Sequence, residues 1–233
     1  MSSTGAVILD NDGLTLDSES VWTRAEVTLF RQRGREFTHA HKLELVGSAG
    51  PVAAAKLERM LGTPAGTGAA ILHELGDLVV EELQRGCEPM PGALDLIAAL
   101  RAAGIPFALC SNSPRRIVDA ALQGAGLTGT FAVTIAGDEV EHGKPAPDPY
   151  LAAAAALSVD PGACTALEDS PTGAASARAA GMRVLGVPSV PGVSLAGGVD
   201  AEFASLAEPA LWSALGLVHG AGSSVRNSGL GRS

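Results

Sequence analysis

An apolar run near the start of the chain ends in two carboxylates. Ala6–Leu9 is short, partly β-branched and bounded by turn residues, which predicts a strand buried on both faces. Asp10 and Asp12 then lie at the carboxyl end of this strand, where open α/β sheets bind their ligands. Side chains alternate along an extended chain, so both carboxylates are expected on the same side. Like charges this close repel and raise one pKa unless a cation intervenes. The stretch therefore predicts a metal, a shared proton, or both.

The rest of the chain divides into two patterns. Residues 17–85 have helical spacing and no strand signal, whereas strands and helices alternate from about residue 87. Such alternation predicts an α/β fold with a doubly wound, Rossmann-like parallel sheet. We expect this core at 1–15 and 87–216, a small helical domain inserted at 16–86, and a Gly/Ser-rich flexible tail at 217–233. The predicted helices are 17–33, 38–46, 51–61, 69–85, 91–103, 114–124, one from 148, 171–181 and 206–215, and the later strands are 105–110, 131–135, 164–167 and 183–187.

The composition disfavours several classes of binding partner. The formal net charge of −9 argues against nucleic acid and anionic membranes, and it means that an anionic substrate needs a local cation. No run approaches the roughly 20 apolar residues of a membrane span, and no signal peptide is apparent. Three cysteines without CxxC spacing indicate reduced thiols, so we expect a cytoplasmic protein, and a monomer. With 46% hydrophobic but only 3% aromatic residues, the core must consist of Ala, Val, Leu and Ile with helices close to the sheet.

Polar side chains also follow two later strands of the predicted sheet. Ser111-Asn112 comes after the second strand, and Glu168-Asp169 comes after the fourth. Lys144 lies in a loop between them, in the rigid setting Gly-Lys-Pro. Because the carboxyl ends of parallel strands share one edge of the sheet, these groups are expected to meet Asp10 and Asp12.

Four segments in this order resemble the motifs of the haloacid dehalogenase superfamily of phosphotransferases. They are DNDGLTLDSE, CSNS, GKPAPDPY and LEDSPTG. One such motif is weak, whereas four in order at this spacing are specific. The resemblance covers about residues 5–215. The helical insert resembles the cap of the family's first subclass, in the branch of β-phosphoglucomutases and sugar-phosphate phosphatases.

The resemblance implies a hydrolase of phosphate monoesters that uses Mg²⁺. Asp10 is the natural nucleophile because a carboxylate can form an aspartyl-phosphate. Mg²⁺ prefers oxygen ligands, and the family pattern implies that Asp10, Asp169 and the backbone carbonyl of Asp12 supply them, with Glu168 direct or through water. A raised pKa suits Asp12 as general acid and then as base. The phosphate-binding residues are expected to be Ser111 and Asn112, near a helix N-terminus, and Lys144.

Several activities share this pattern. The dehalogenase branch generally lacks the second aspartate, so Asp12 favours phosphate chemistry. Mutases of the β-phosphoglucomutase type carry a histidine and an arginine where this chain places Trp22 and Gly50, so the phosphomutase is the alternative and the phosphatase is favoured. A small phosphorylated metabolite, of the sugar or polyol phosphate type, is expected because the cap would close over the site. A receiver-type signalling domain and a silent binding module of the same fold are more distant alternatives.

Overall fold

The sheet lies at the centre of the molecule. The structure, a computed structural model, describes residues 4–45, 48, 50–190, 192 and 194–218. Within these residues the strands are β1 (Ala6–Asp10), β2 (Phe107–Cys110), β3 (Val133–Ile135), β4 (Cys164–Glu168), β5 (Arg183–Gly186) and β6 (Ala201–Glu202). All pair in parallel, in the order β3-β2-β1-β4-β5-β6. The predicted doubly wound parallel sheet is confirmed.

Strand β1 occupies the middle of this sheet. It pairs with β2 through Leu9 and Leu109 and with β4 through Leu9 and Leu167. Every residue of β1 is buried, as its apolar run predicted. Because its neighbours run in the same direction, the polar ends of β1, β2 and β4 lie at one edge of the sheet.

Helices cover both faces. One face carries Val7 and Leu9 against a large cluster of Leu, Val and Ile, and the other carries Ala6 and Ile8 against small residues of two helices. Small side chains let those helices approach the sheet closely, which fits the Ala-rich, aromatic-poor composition. The core helices are α5 (Ala93–Ala102), α6 (Arg115–Gly124), α7 (Asp148–Leu157), α8 (Pro171–Ala179) and α9 (Pro209–Ala214).

Four helices lie between β1 and α5, in the segment predicted to form the insert. They are α1 (Ser18–Gln32), α2 (His39–Leu45), α3 (Gly50–Leu61) and α4 (Gly68–Gln84). Their apolar faces meet around Leu29, Leu57 and Val79, each fully buried. Helix α4 also packs on α6, where Arg116 pairs with Asp77. The helical insert is thus present, while the boundaries 1–15, 16–86 and 87–216 stay predictions.

The strand at 183–187 is not the last one, contrary to the prediction. Strand β6 adds to the edge of the sheet, with Ala201 paired to Leu185. Just before it, the Asp200 carboxylate accepts a 2.7 Å hydrogen bond from Val184 N, and Asp200 N donates to Val184 O. A two-residue strand fixed by one side chain has no apolar run to reveal it. Of the predicted tail, residues 219–233 lie outside the described residues.

Two further expectations concern the described chain. Cys87, Cys110 and Cys164 are free and buried, in agreement with reduced thiols. No helix in the described part of the chain is both long and apolar enough to cross a membrane.

Candidate active site

Asp10, the last residue of β1, forms a buried ion pair with Lys144. The Lys144 ammonium lies 2.5 Å from Asp10 Oδ1, and both side chains are more than nine-tenths buried. Asp10 Oδ2 is also buried and has no hydrogen-bond partner among the described residues. One carboxylate oxygen is therefore oriented by a cation and the other remains available to a ligand.

Asn112 fixes the loop that carries Lys144. Its Oδ1 accepts a 2.7 Å hydrogen bond from Lys144 N, and its Nδ2 donates to Lys144 O at 3.1 Å. This side chain therefore contacts the backbone of the Lys144 loop, and its expected part in phosphate binding stays a prediction. Gly143 lies against the same amide, because a Cβ on it would approach Asn112 Oδ1 to 2.8 Å.

Asp12 is held by two hydroxyl groups from the end of β2. Its Oδ2 accepts hydrogen bonds from Ser111 Oγ at 2.6 Å and from Ser113 Oγ at 3.1 Å. Its Oδ1 is buried and unpartnered within the described residues. Two donors thus fix the carboxylate and leave its other oxygen without a partner. Ser113 was not among the predicted site residues, although it ends the CSNS segment.

Glu168 and Asp169, at the end of β4, face different partners. Glu168 is fully buried, and its Oε1 lies 2.7 Å from Lys144 Nζ. Asp169 Oδ2 accepts a 2.5 Å hydrogen bond from Ser189 Oγ. Gly13 gives Asp169 room, since its φ is +86° and a Cβ there would lie 2.3 Å from Oδ2. The structure therefore brings Glu168 and Asp169 close to Asp10, with Glu168 paired to Lys144 and Asp169 hydrogen-bonded to Ser189.

Two other contact residues, Tyr150 and Ser189, were also missed by the sequence reasoning. Tyr150 OH donates a 2.6 Å hydrogen bond to Glu168 Oε1. Ser189 comes from the loop after β5 and reaches Asp169. Neither lies in a polar strand-end pattern, although Tyr150 ends the GKPAPDPY segment, whereas Ser189 lies outside all four segments.

Burial and charge set the ionisation of the buried groups. Burial raises the pKa of Asp10 well above its ordinary value, Lys144 opposes this, and Glu168 and Asp169 add to it. For Lys144, burial alone would lower the pKa, but Asp10 and Glu168 raise it well above its usual range. Burial, with repulsion from Glu168, raises the pKa of Asp169 to about 7. The lysine is thus a permanent cation, and the carboxylates need more positive charge than it supplies.

The same carboxylates fit a divalent metal ion. Asp10, Glu168 and Asp169 each offer an oxygen, and these atoms lie within 4.8 Å of one another. The buried unpartnered Oδ2 of Asp10 and the excess of carboxylates over cations both favour a hard cation with oxygen ligands, such as Mg²⁺. The Asp12 side chain lies outside this group and faces Ser111 and Ser113, so only its backbone carbonyl, as predicted, remains as a ligand candidate.

Comparison with known proteins gives a consistent result. The family model of haloacid dehalogenase-like hydrolases matches residues 4–181. The chain is 36% identical over 195 residues to protein CbbY of Rhodobacter capsulatus, and this alignment covers 79% of this chain and 85% of that protein. It is 28% identical over 200 residues to hexitol phosphatase B of Escherichia coli K12, covering 79% and 83%. It is also 31% identical over 189 residues, 81% of this chain, to the bifunctional riboflavin kinase/FMN phosphatase of Arabidopsis thaliana, but spans only 49% of that protein.

A solved structure extends the likeness to the fold. The crystal structure of CbbY from Rhodobacter sphaeroides in complex with phosphate superimposes with a TM-score of 0.77 at 28% identity. The match covers 88% of this chain and 96% of that one. The sheet and the helical insert described above are therefore shared with a protein of known structure.

Proposed function

The chain belongs to the haloacid dehalogenase-like hydrolases, and we propose that it is a Mg²⁺-dependent phosphatase acting through an aspartyl-phosphate. Its substrate is a small phosphorylated metabolite of the sugar or polyol phosphate type. The observation that carries this proposal is the pair of carboxylates in different settings. Asp10 is paired with Lys144, whereas Asp12 is held by hydroxyl groups and keeps one buried oxygen without a partner among the described residues.

In the first step Asp10 attacks the phosphorus atom. Lys144 stays beside it and offsets charge on the transferring group, as such clamps do in phosphoryl transfer. The bond between phosphorus and the ester oxygen breaks, and Asp12 gives its proton to that oxygen. Products of this step are the free alcohol and a phosphoryl group on Asp10.

In the second step water hydrolyses the aspartyl-phosphate. Asp12, now a carboxylate, takes a proton from the water as it attacks phosphorus. The bond between phosphorus and Asp10 breaks, inorganic phosphate leaves, and both aspartates return to their starting states. Ser111 and Ser113 keep Asp12 in place for both transfers.

A metal would be held by Asp10, Glu168 and Asp169, with the Asp12 carbonyl as a further ligand. When bound, Mg²⁺ supplies charge neutralisation between the Asp10 carboxylate and the phosphate oxygens. The grouping of these three carboxylates supports its binding there.

The relatives support a phosphatase of small molecules. The printed name of hexitol phosphatase B places polyol phosphates among the first substrates to test. The phosphate complex of the Rhodobacter sphaeroides CbbY supports phosphate binding in a fold of this kind. The receiver-domain alternative is disfavoured because the chain carries the helical insert and matches a hydrolase family.

Hydrolysis of p-nitrophenyl phosphate, with Mg²⁺ or with EDTA, tests the proposal. We expect turnover that needs Mg²⁺ and is lost in Asp10→Asn. A matched control is Asp95→Asn, on the exposed first turn of α5, which should keep full activity. Turnover that persists in Asp10→Asn, or none in the parent, would refute the proposal.

A panel of sugar and polyol phosphates then addresses the substrate. Release of inorganic phosphate supports the phosphatase. An isomerised phosphosugar without phosphate release would instead identify a phosphomutase.

A further inference from the structure

The orientation of Lys144 depends on the groups that surround its ammonium. An ammonium has three N–H donors, and four acceptors lie close to this one. They are Asp10 Oδ1 at 2.5 Å, Glu168 Oε1 at 2.7 Å, Cys110 O at 3.2 Å and, most distant, Tyr150 OH at 3.4 Å. Every donor is therefore used, and the ammonium is shared between two carboxylates.

Tyr150 lies against the same two groups. It is in the first turn of α7 and is fully buried. Its hydroxyl donates to Glu168 Oε1 at 2.6 Å and lies 3.4 Å from Lys144 Nζ, while the ammonium lies 4.9 Å from the ring centroid. Because an ionised carboxylate only accepts hydrogen bonds, the phenol is the donor to Glu168.

We propose that Tyr150 is a positioning residue, whose hydroxyl fixes Glu168 so that Glu168 in turn holds Lys144 beside Asp10. This inference rests on the phosphatase proposed above. It assigns a role to a residue that contacts no reacting atom and acts through its two neighbours.

The packing around Glu168 explains why a hydroxyl is needed. Gly173 lies directly behind the carboxylate, since a Cβ there would come within 1.9 Å of Oε1. Oε2 has only longer contacts to Ser170, 3.2 Å from Oγ and 3.4 Å from N. The short bonds thus converge on Oε1.

Tyr150 contributes a neutral donor to that oxygen. A phenol is protonated at neutral pH, so Tyr150 keeps its donor. Without the hydroxyl, Glu168 Oε1 would have Lys144 as its only short partner and would draw the ammonium away from Asp10. The phosphate oxygens would then meet a displaced cation.

The first test is Tyr150→Phe, which keeps the ring and removes the hydroxyl. Calorimetric titration of inorganic phosphate in saturating Mg²⁺ should show about tenfold weaker binding, the size expected for a hydrogen bond to a charged group. Ala153→Gly is the matched control, because it weakens the same helix at a buried position of the same core cluster and removes no polar atom. It should lower the melting temperature with phosphate affinity unchanged. A loss below about twofold in Tyr150→Phe would overturn the inference.

A double-mutant cycle tests the route through Glu168. If Tyr150 acts through that carboxylate, adding Tyr150→Phe to Glu168→Gln should change phosphate affinity little. A further tenfold loss in the double variant would show an independent effect and overturn the inference. Phosphate binding reports on the inference alone. Absence of hydrolysis in the parent, with phosphate binding and the cycle as expected, would instead count against the proposed function.

A spectroscopic test does not depend on any variant folding. Tyr150 is the chain's single tyrosine, so global incorporation of 3-fluorotyrosine labels one site. Addition of inorganic phosphate with Mg²⁺ should shift its fluorine resonance, because the phenol senses Glu168 and Lys144 directly. An unchanged resonance at saturating phosphate would show that Tyr150 is not linked to the site.

Discussion

Replacing Lys144 with methionine should cost a large part of the protein's stability. The side chain is 4% exposed and pairs with Asp10 and Glu168, whose side chains are 8% and 0% exposed. Methionine has a similar length but no charge, so both carboxylates would stay buried without a cation. Breaking a buried ion pair by removing one partner costs about 3–5 kcal/mol, out of a total free energy of unfolding of about 5–15 kcal/mol. For a chain of this size, about 2–4 °C per kcal/mol predicts a melting temperature lower by about 6–20 °C.

Thermal and urea unfolding of the metal-free protein at neutral pH measure this loss. Lys56→Met is the matched control, because within the described residues Lys56 makes two hydrogen bonds, to Glu44 O and Ser48 Oγ. It should cost about 1 kcal/mol or less. Adding Glu168→Gln to Lys144→Met should restore part of the lost stability, because one uncompensated charge disappears.

The reasoning would be refuted by either of two results. One is a loss below about 1 kcal/mol for Lys144→Met, which would mean that the pair behaves like a surface salt bridge. The other is strict additivity of Lys144→Met and Glu168→Gln, since contacting charges must couple.

Three further predictions follow from other contacts. Ser113→Ala should lower kcat severalfold with KM nearly unchanged, because Asp12 keeps its bond from Ser111 but loses its 3.1 Å partner. Ser113→Thr should retain activity. Steady-state kinetics measure both variants, and an unchanged kcat in Ser113→Ala would contradict the role of Ser113. Mg²⁺ at a hundred times its Kd should stabilise the protein by about 2.7 kcal/mol. The melting temperature should rise, EDTA should reverse the rise, and Asp169→Asn should abolish it. Equal rises in the parent and in Asp169→Asn would exclude Asp169 as a ligand. At neutral pH the folded protein should resist thiol reagents that react fully after unfolding. All three cysteines are buried, and burial raises the pKa of Cys87 to about 11 and of Cys110 to about 12. Rapid labelling of the folded protein would contradict this prediction.

Much of the site could be predicted because sheet topology determines it. Asp10, Ser111 and Glu168 each lie at or just after the end of a buried strand, and parallel pairing of β1 with β2 and β4 brings those ends together. The short apolar runs predict the strands, and the strands predict the convergence. Strand ends alone did not predict Lys144, because it lies in a loop. Only its Gly-Lys-Pro setting distinguished it from a surface lysine.

The missed residues depend on packing that local sequence does not encode. Tyr150 looks like a core aromatic in an Ala-rich helix, and the packing of α7 against β2, β3 and β1 brings its hydroxyl to Glu168. Ser189 reaches Asp169 from a loop with no pattern. The expected part of Asn112 in phosphate binding stays a prediction. The sequence did not reveal that its amide also bonds to the backbone of the Lys144 loop, a contact between segments 32 residues apart in sequence.

The central claim is that Asp10 carries the phosphoryl group between two steps, and a burst experiment with Asp12→Asn tests it directly. Nitrophenolate leaves without a proton, so the first step should proceed in this variant, whereas the water attack lacks its base and should be slow. We predict one equivalent of nitrophenolate released rapidly per enzyme, and mass spectrometry of the acid-quenched protein should place one phosphoryl group on the peptide containing Asp10. Steady turnover without a burst, or a phosphoryl group on any other residue, would contradict the account.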